Sequence, residues 1–296
     1  MKPFSIGDIR VDRIVERDGP FGLLSGLVPD ANEQALRPYY DWLTPNYLDP
    51  ESFWMYMSVN SYLIRTSRYN ILVDTCGGNH KERPNSPAFH QKETPWLANL
   101  AAAGVGVEDI DFVMCTHLHV DHTGWNTKLE DGRWVPTFPN ARYLFDKTEL
   151  DHWDAHSADH DGDHLQVYQD SVLPVVEAGR VDLVANDFEI DTGLVIEPLP
   201  GHTPGHRGIN AASNGQTALF TGDCLHHPSQ IIFPEWNSGF CEDPVQSATT
   251  RRSVLERLVD TDTLIIPAHF VDPGYGHIIS TKVGDGNGFG FRPILD

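Results

Sequence analysis

The chain has 296 residues, 40% of them hydrophobic, which is enough for a sizeable core and fits one large α/β domain. It carries 21 Lys and Arg against 42 Asp and Glu, a formal net charge of -21. A surface of that sign repels nucleic acid and anionic membranes, which argues against both as partners and leaves small-molecule chemistry as the better fit.

The opening MKPFSIGDIRVDRIVE has no apolar signal-peptide core. No apolar run approaches the ~18 residues of a membrane span. Cys76, Cys115, Cys224 and Cys241 form no CxxC pair, so each reads as a small buried hydrophobe and the cytoplasm is the expected compartment. The first predicted strand is IRVDRIVE (9–16). An aromatic-rich extension follows at about 20–58, with Phe21, Tyr39, Tyr40, Trp42, Tyr47, Phe53, Trp54 and Tyr56. It reads either as ordinary packing or as a flap that lines a pocket or a homodimer interface. Strands are predicted at MYMSVNSYLIRT (55–66) and YNILVDT (69–75), a helix at 95–103 and a strand at DFVMCT (111–116).

A strand at ARYLF (141–145) and a helix at roughly 146–154 lead into the insertion DHWDAHSADHDGDH (151–164). Its His152, His156, His160 and His164 are spaced four apart and would share one face of a continuous helix, as an accessory metal site would require. Gly162 and the many aspartates favour a solvated loop instead. A helix at 166–178 and strands at LVIEPLP (194–200) and ALFTGD (218–223) come next. Asp243 as N-cap and Pro244 at the first helical position start a helix over 244–259. TLIIPAH (263–269) is the last predicted strand, and the tail GDGNGFGF (284–291) reads as an irregular loop. Strand–helix alternation without a Gly-, Ser- or Pro-rich linker predicts a layered α/β fold in a single domain, 1–296.

The stretch CTHLHVDHTGW (115–125) packs His117, His119, Asp121 and His122 just beyond a buried strand. In an extended segment His117 and His119 point to one side, whereas Asp121 and His122 diverge as neighbours. That spacing points to two adjacent metals, each short of donors. His202 in LPGHTPGH, Asp223 ending ALFTGD and His269 ending TLIIPAH each follow a β-rich run and are the candidates to complete them.

The ordered series HLHVDH, GHTPGH, TGD and PAH resembles the metallo-β-lactamase superfamily. The resemblance implies an αββα sandwich with two divalent transition-metal ions, zinc first, with Mn, Fe or Co acceptable to such donors. It implies that His117, His119 and His202 hold one ion, that Asp121, His122 and His269 hold the other, and that Asp223 bridges both. ILVDTCGG (71–78) is similar to the family's first motif, so Asp74 is expected to orient a ligand histidine. Two ions, Asp121, Asp223 and a bridging hydroxide leave about one surplus positive charge facing a cleft. Metal lowers the pKa of water to ~7 and stabilises a developing oxyanion, so no Ser or Cys nucleophile is needed.

TGDCLHHPSQIIFPEW (221–236) is similar to the branch holding acyl-homoserine lactonases and methyl parathion hydrolase. The lactonases commonly place a Tyr three residues after the bridging Asp; here His226 stands there, which moves the match toward the methyl parathion hydrolase-like side. His226 reads as a donor to substrate or to a leaving group, with a structural loop histidine as the alternative. His227 reads as structural. The expected function is hydrolysis of a lactone or carboxylic ester, with promiscuous phosphotriester cleavage. The alternatives are an amide or β-lactam hydrolase, and a metal-bound ligand sensor with little turnover.

Overall fold

Ile9 and Val11 are buried on one face of a strand and Asp12 and Ile14 on the other, so both faces are covered at its start. The computed structural model describes residues 2–159 and 162–295. Strands β1 (Phe4–Ile6), β2 (Ile9–Leu23), β3 (Trp54–Arg65), β4 (Asn70–Val73) and β5 (Phe112–Met114) are followed by a separate hairpin, β6 (Thr127–Glu130) and β7 (Arg133–Pro136). Then come β8 (Arg142–Asp146) and β9 (Val181–Val184). The first seven-stranded sheet has the order β1-β2-β3-β4-β5-β8-β9. Within it β4, β5, β8 and β9 pair in parallel, so each needs a crossover, and these supply the helices Trp96–Ala102 and Lys147–His156.

The second seven-stranded sheet runs in chain order: β10 (Glu189–Asp191), β11 (Leu194–Pro198), β12 (Arg207–Ser213), β13 (Gln216–Gly222), β14 (Leu264–Pro267), β15 (Gly276–Val283) and β16 (Gly286–Pro293). Strands β13 and β14 are parallel, joined through the helix Pro244–Leu258, and their register shifts between Phe220 and Gly222. That irregularity lies immediately before Asp223 and re-aims the strand end.

The chain divides into two compact units. One contains Asp18–Ser58 and Thr192–Asp296; the other contains Lys2–Arg17 and Val59–Asp191. Among the described residues no helix is long and apolar enough to cross a membrane.

Several predicted elements differ in the structure. The glycine-rich tail is no irregular loop: β15 and β16 form a hairpin in which Val283 pairs with Gly286 around Gly284 (φ 57). Glycines 286, 288 and 290 fall on one face and Phe289 and Phe291 on the other, a period of two that the glycine content masks. Phe291 joins a core with Tyr47, Leu225, Phe270 and Ile278. The helix expected at 166–178 is interrupted by a π-helical turn at Tyr168–Val172. The insertion at 151–164 is helical as far as His156, with His160 outside the described residues. In the aromatic extension, Leu24, Leu27, Leu36 and Leu43 of short helices bury a cluster with Ile232 and Trp236, so ordinary packing accounts for most of it. Trp54 is the exception, at 44% exposure.

Candidate metal centre

In the unit that contains β5, the motif His117–His122 begins three residues after that strand ends. Asp74, just past β4, is buried and held at φ 58, and its amide donates to the Met114 carbonyl at 2.9 Å. Its carboxylate accepts from the Thr116 amide (2.7 Å), the Thr116 hydroxyl (2.9 Å) and His122 Nδ1 (2.9 Å). With its one proton given to Asp74, the Thr116 hydroxyl accepts from His117 Nδ1 at 3.0 Å. These partners fix the neutral tautomers. Both imidazoles therefore present an Nε2 lone pair, the form a metal requires. His122 Nε2 lies 3.6 Å from Asp121 Oδ1, and the rings of His117 and His122 are 4.1 Å apart. Asp74 thus orients His122 directly and His117 through Thr116, a relay that the sequence motif does not reveal.

The loop is braced from below. Half-buried Glu16 accepts from the amides of Gly77 (2.8 Å) and Gly78 (3.1 Å) and from Trp125 Nε1 (2.8 Å). Burial raises its pKa, and those donors pull it back only in part. A Cβ on Gly124 would meet the Gly77 carbonyl carbon at 2.0 Å, so the first motif and the histidine motif interlock at backbone contact.

In the other unit, the remaining donors collect around one carboxylate. Asp223 is buried, with Oδ1 3.0 Å from His269 Nε2 and Oδ2 3.1 Å from His226 Nε2 and 3.4 Å from His202 Nε2. His269 Nδ1 donates to the Ser58 carbonyl at 2.8 Å. In the neutral ring its Nε2 is then a lone pair facing a carboxylate oxygen. Two acceptors at 3.0 Å repel unless a cation or a proton lies with them. This donor set fits a divalent ion.

The supports come from within the GHTPGH motif and from beyond it. His206, the second histidine of GHTPGH, is no ligand: its Nδ1 donates to the Leu199 carbonyl and its Nε2 accepts the Asp223 amide, both at 2.9 Å. Gly201 (φ +125) presses on Ser247, whose amide a Cβ would meet at 2.2 Å. Cys241 Sγ lies 3.6 Å from His202 Nδ1.

The sequence pattern of the metallo-beta-lactamase superfamily matches residues 55–269. The chain belongs to the metallo-β-lactamase superfamily. Within the superfamily it is similar to an N-acyl homoserine lactonase of Bacillus sp, 25% identical over 159 residues, which are 50% of this chain and 56% of that protein. The match thus spans about half the length of that relative. A second relative is the N-acyl homoserine lactonase AttM of Azorhizobium caulinodans, 24% identical over 242 residues, covering 72% of this chain and 85% of the relative. The fold matches the hydrolase AbOPH at a TM-score of 0.79, with 25% identity and coverage of 99% of this chain and 97% of that one. It also matches the dizinc quorum-quenching lactonase AidC, solved with a product, at a TM-score of 0.78, with 21% identity and coverage of 100% and 97%. The chain therefore has the mixed α/β fold of the superfamily.

Against that superfamily pattern the loop after Asp223 stands out. His226 is buried, and neither ring nitrogen makes a hydrogen bond. Its ring stacks on His269 with centroids 5.8 Å apart. His227 is structural: Nε2 donates to the Tyr47 carbonyl and Nδ1 pairs with the Ser229 hydroxyl, both at 3.0 Å. Burial pushes its pKa down to about 4, so it stays neutral. Buried Arg251 pins the loop by donating to the carbonyls of Cys224 (2.8 Å), Pro234 (2.6 Å) and Trp236 (2.8 Å). Cys76, Cys115 and Cys224 are buried free thiols whose pKa burial raises, which disfavours the thiolate.

Proposed function

We propose that the protein is a dinuclear metal-dependent hydrolase acting on a lactone or carboxylic ester, with phosphotriesters as promiscuous substrates. The observation that carries this reading is the cluster around Asp223, where three imidazoles bring Nε2 within 3.0 to 3.4 Å of one buried carboxylate. On the superfamily pattern, His117, His119 and His202 would hold one divalent ion, Asp121, His122 and His269 the other, with Asp223 shared. Zinc is the first choice, since a fold relative is described as dizinc. The lactone preference rests on the relatives that are N-acyl homoserine lactonases, and esters share the same acyl chemistry. Four free cysteines support a reducing compartment such as the cytoplasm.

When bound, the ions supply acidification of a water molecule and polarisation of the scissile carbonyl. The chain's own groups do the rest. Asp74 and Thr116 hold His122 and His117 in one tautomer, and Ser58 does the same for His269. Asp121 and Asp223 are the carboxylates able to hold a proton as water loses one. His226, whose Nε2 stands 3.1 Å from Asp223 Oδ2 and whose ring makes no hydrogen bond, would donate to the substrate oxygen as negative charge builds.

Protein of measured metal content, assayed on a panel of lactones, aryl esters, amides, β-lactams and phosphotriesters, tests this. Two ions per chain with fastest turnover on lactones or esters is expected. Preference for amides or β-lactams would replace the substrate class. Full metal loading without turnover on any class would make the protein a metal-bound sensor and overturn the hydrolase.

A further inference from the structure

The helix Lys147–His156 runs into the acidic stretch 151–164, whose composition favours a solvated loop, and two of its side chains are almost fully enclosed. Glu149 is 1% exposed and Trp153 2%. Asp146 caps the helix by accepting the Thr148 amide at 2.7 Å and the Glu149 amide at 3.1 Å. A buried glutamate needs a reason, and here it has two donors. Glu149 Oε1 accepts Trp153 Nε1 at 2.7 Å from one turn along its own helix. The same oxygen accepts the Leu118 amide at 3.0 Å, from the middle of the HLHVDH motif. One carboxylate thus ties the helix to the peptide between His117 and His119.

The indole held this way lies against His119 at 5.4 Å between centroids, its plane inclined 65°. His164 stacks on the same indole at 4.6 Å and 10°, and its own ring stands 5.6 Å from that of His119. His119 therefore sits in a corner made by two mutually stacked rings, one of them locked by a hydrogen bond.

We propose that Trp153, braced by Glu149 and His164, is a positioning residue for His119, so that the helix Lys147–His156 sets the geometry of the metal position His119 serves. This rests on the dinuclear reading above. An imidazole that can swing about its Cα–Cβ and Cβ–Cγ bonds must be ordered when an ion binds. A ring already confined by neighbours loses less freedom and gives tighter binding. Groups that orient a ligand from outside typically contribute 10–100-fold in metal affinity. Leucine in place of Trp153 keeps an apolar filling but removes the flat wall and the Glu149 bond. Phenylalanine keeps the wall and loses only the bond.

The experiment compares wild type with Trp153→Leu, Trp153→Phe and His164→Ala. Both ions are titrated against a competing chelator, and the visible spectrum of the Co²⁺-loaded protein reports ligand geometry. The expected result is about tenfold weaker binding of one ion in Trp153→Leu, with the other ion unchanged and a shifted Co²⁺ band. Trp153→Phe should recover most of the affinity, and His164→Ala should lose about threefold with a smaller band shift. Wild-type affinities and spectrum in Trp153→Leu would overturn the proposal. If Trp153→Leu does not fold, an unaltered spectrum and affinity in His164→Ala would overturn it equally. Wild type that binds no ion would instead bring down the dinuclear reading itself.

Discussion

At the scale of single residues, His226 and His227 are adjacent in sequence and have opposite fates. His227 has both nitrogens engaged, whereas His226 spends neither on a hydrogen bond. Loss of one donor to a developing oxyanion typically costs ~3 kcal/mol, about a hundredfold in rate. His226→Ala is therefore expected to lower kcat on lactones by about that factor with metal content intact. Tyrosine there should retain part of the activity, because a phenol also donates, and aryl esters with good leaving groups should lose least. Wild-type kinetics of His226→Ala on every class would make the residue structural. For His227 the consequence is one of pH. The unfolded ring protonates near 6.5 and the folded ring only near 4, so acid favours the unfolded chain between those values. Stability is fully present above 6.5 and is lost as pH falls toward 4, by roughly 3 kcal/mol. His227→Gln, whose amide can still donate to the Tyr47 carbonyl, should flatten that part of the curve in urea unfolding at pH 7, 5.5 and 4.5. An unchanged slope would show that other groups carry the acid sensitivity. The seven proposed donors were legible in the sequence because motif and strand end coincide at each. Thr116, Glu149, Ser58 and His206 were not. They act across gaps such as the 211 residues between Ser58 and His269, which no local pattern encodes.

At the scale of elements, the best-read segments are those whose hydrophobic run is unbroken. Strands β4, β5 and β14 are short apolar runs with polar donors at or just beyond their ends, and expectation and structure agree there. In the tail, glycine content masks a strand, although its alternation with phenylalanine has a strand's period of two. In the stretch 151–164 the loop expectation fails only at its start, where Trp153 is buried on the helix Lys147–His156. Close backbone contact between elements gives a sharper test than either. Gly124 and Gly77 meet where no Cβ fits, so Gly124→Ala should cost about 3 kcal/mol or more in chemical denaturation. Gly26 has open space around it and lies in the short helix Leu24–Leu27. Gly26→Ala should therefore be neutral or stabilise by up to ~1 kcal/mol. Equal effects of the two substitutions would refute the interlock.

At the scale of the whole molecule, strand–helix alternation was enough to give the fold class, but the division into two units left no trace in composition. Each unit is assembled from separated segments, so there is no linker to find. Metal binding is the property in which the proposed donors act together. Each ion bound at a thousandfold excess over its dissociation constant adds about 4 kcal/mol to stability. Chelation should accordingly lower the melting temperature by several degrees, and two equivalents of Zn²⁺ should restore it. Elemental analysis giving one ion, with activity unchanged in Asp121→Ala and His269→Ala, would sink the dinuclear assignment. The interleaving also has a consequence for biosynthesis. Residues 18–58 belong with residues beyond 191, and Tyr47 waits for Phe270, Phe291 and the carbonyl of Pro273. A ribosome adding 5–20 residues per second needs on the order of ten seconds to make the stretch between. Throughout that interval an emerged segment rich in tyrosine and tryptophan has none of its later partners, and it is there that a nascent-chain chaperone would find its binding site.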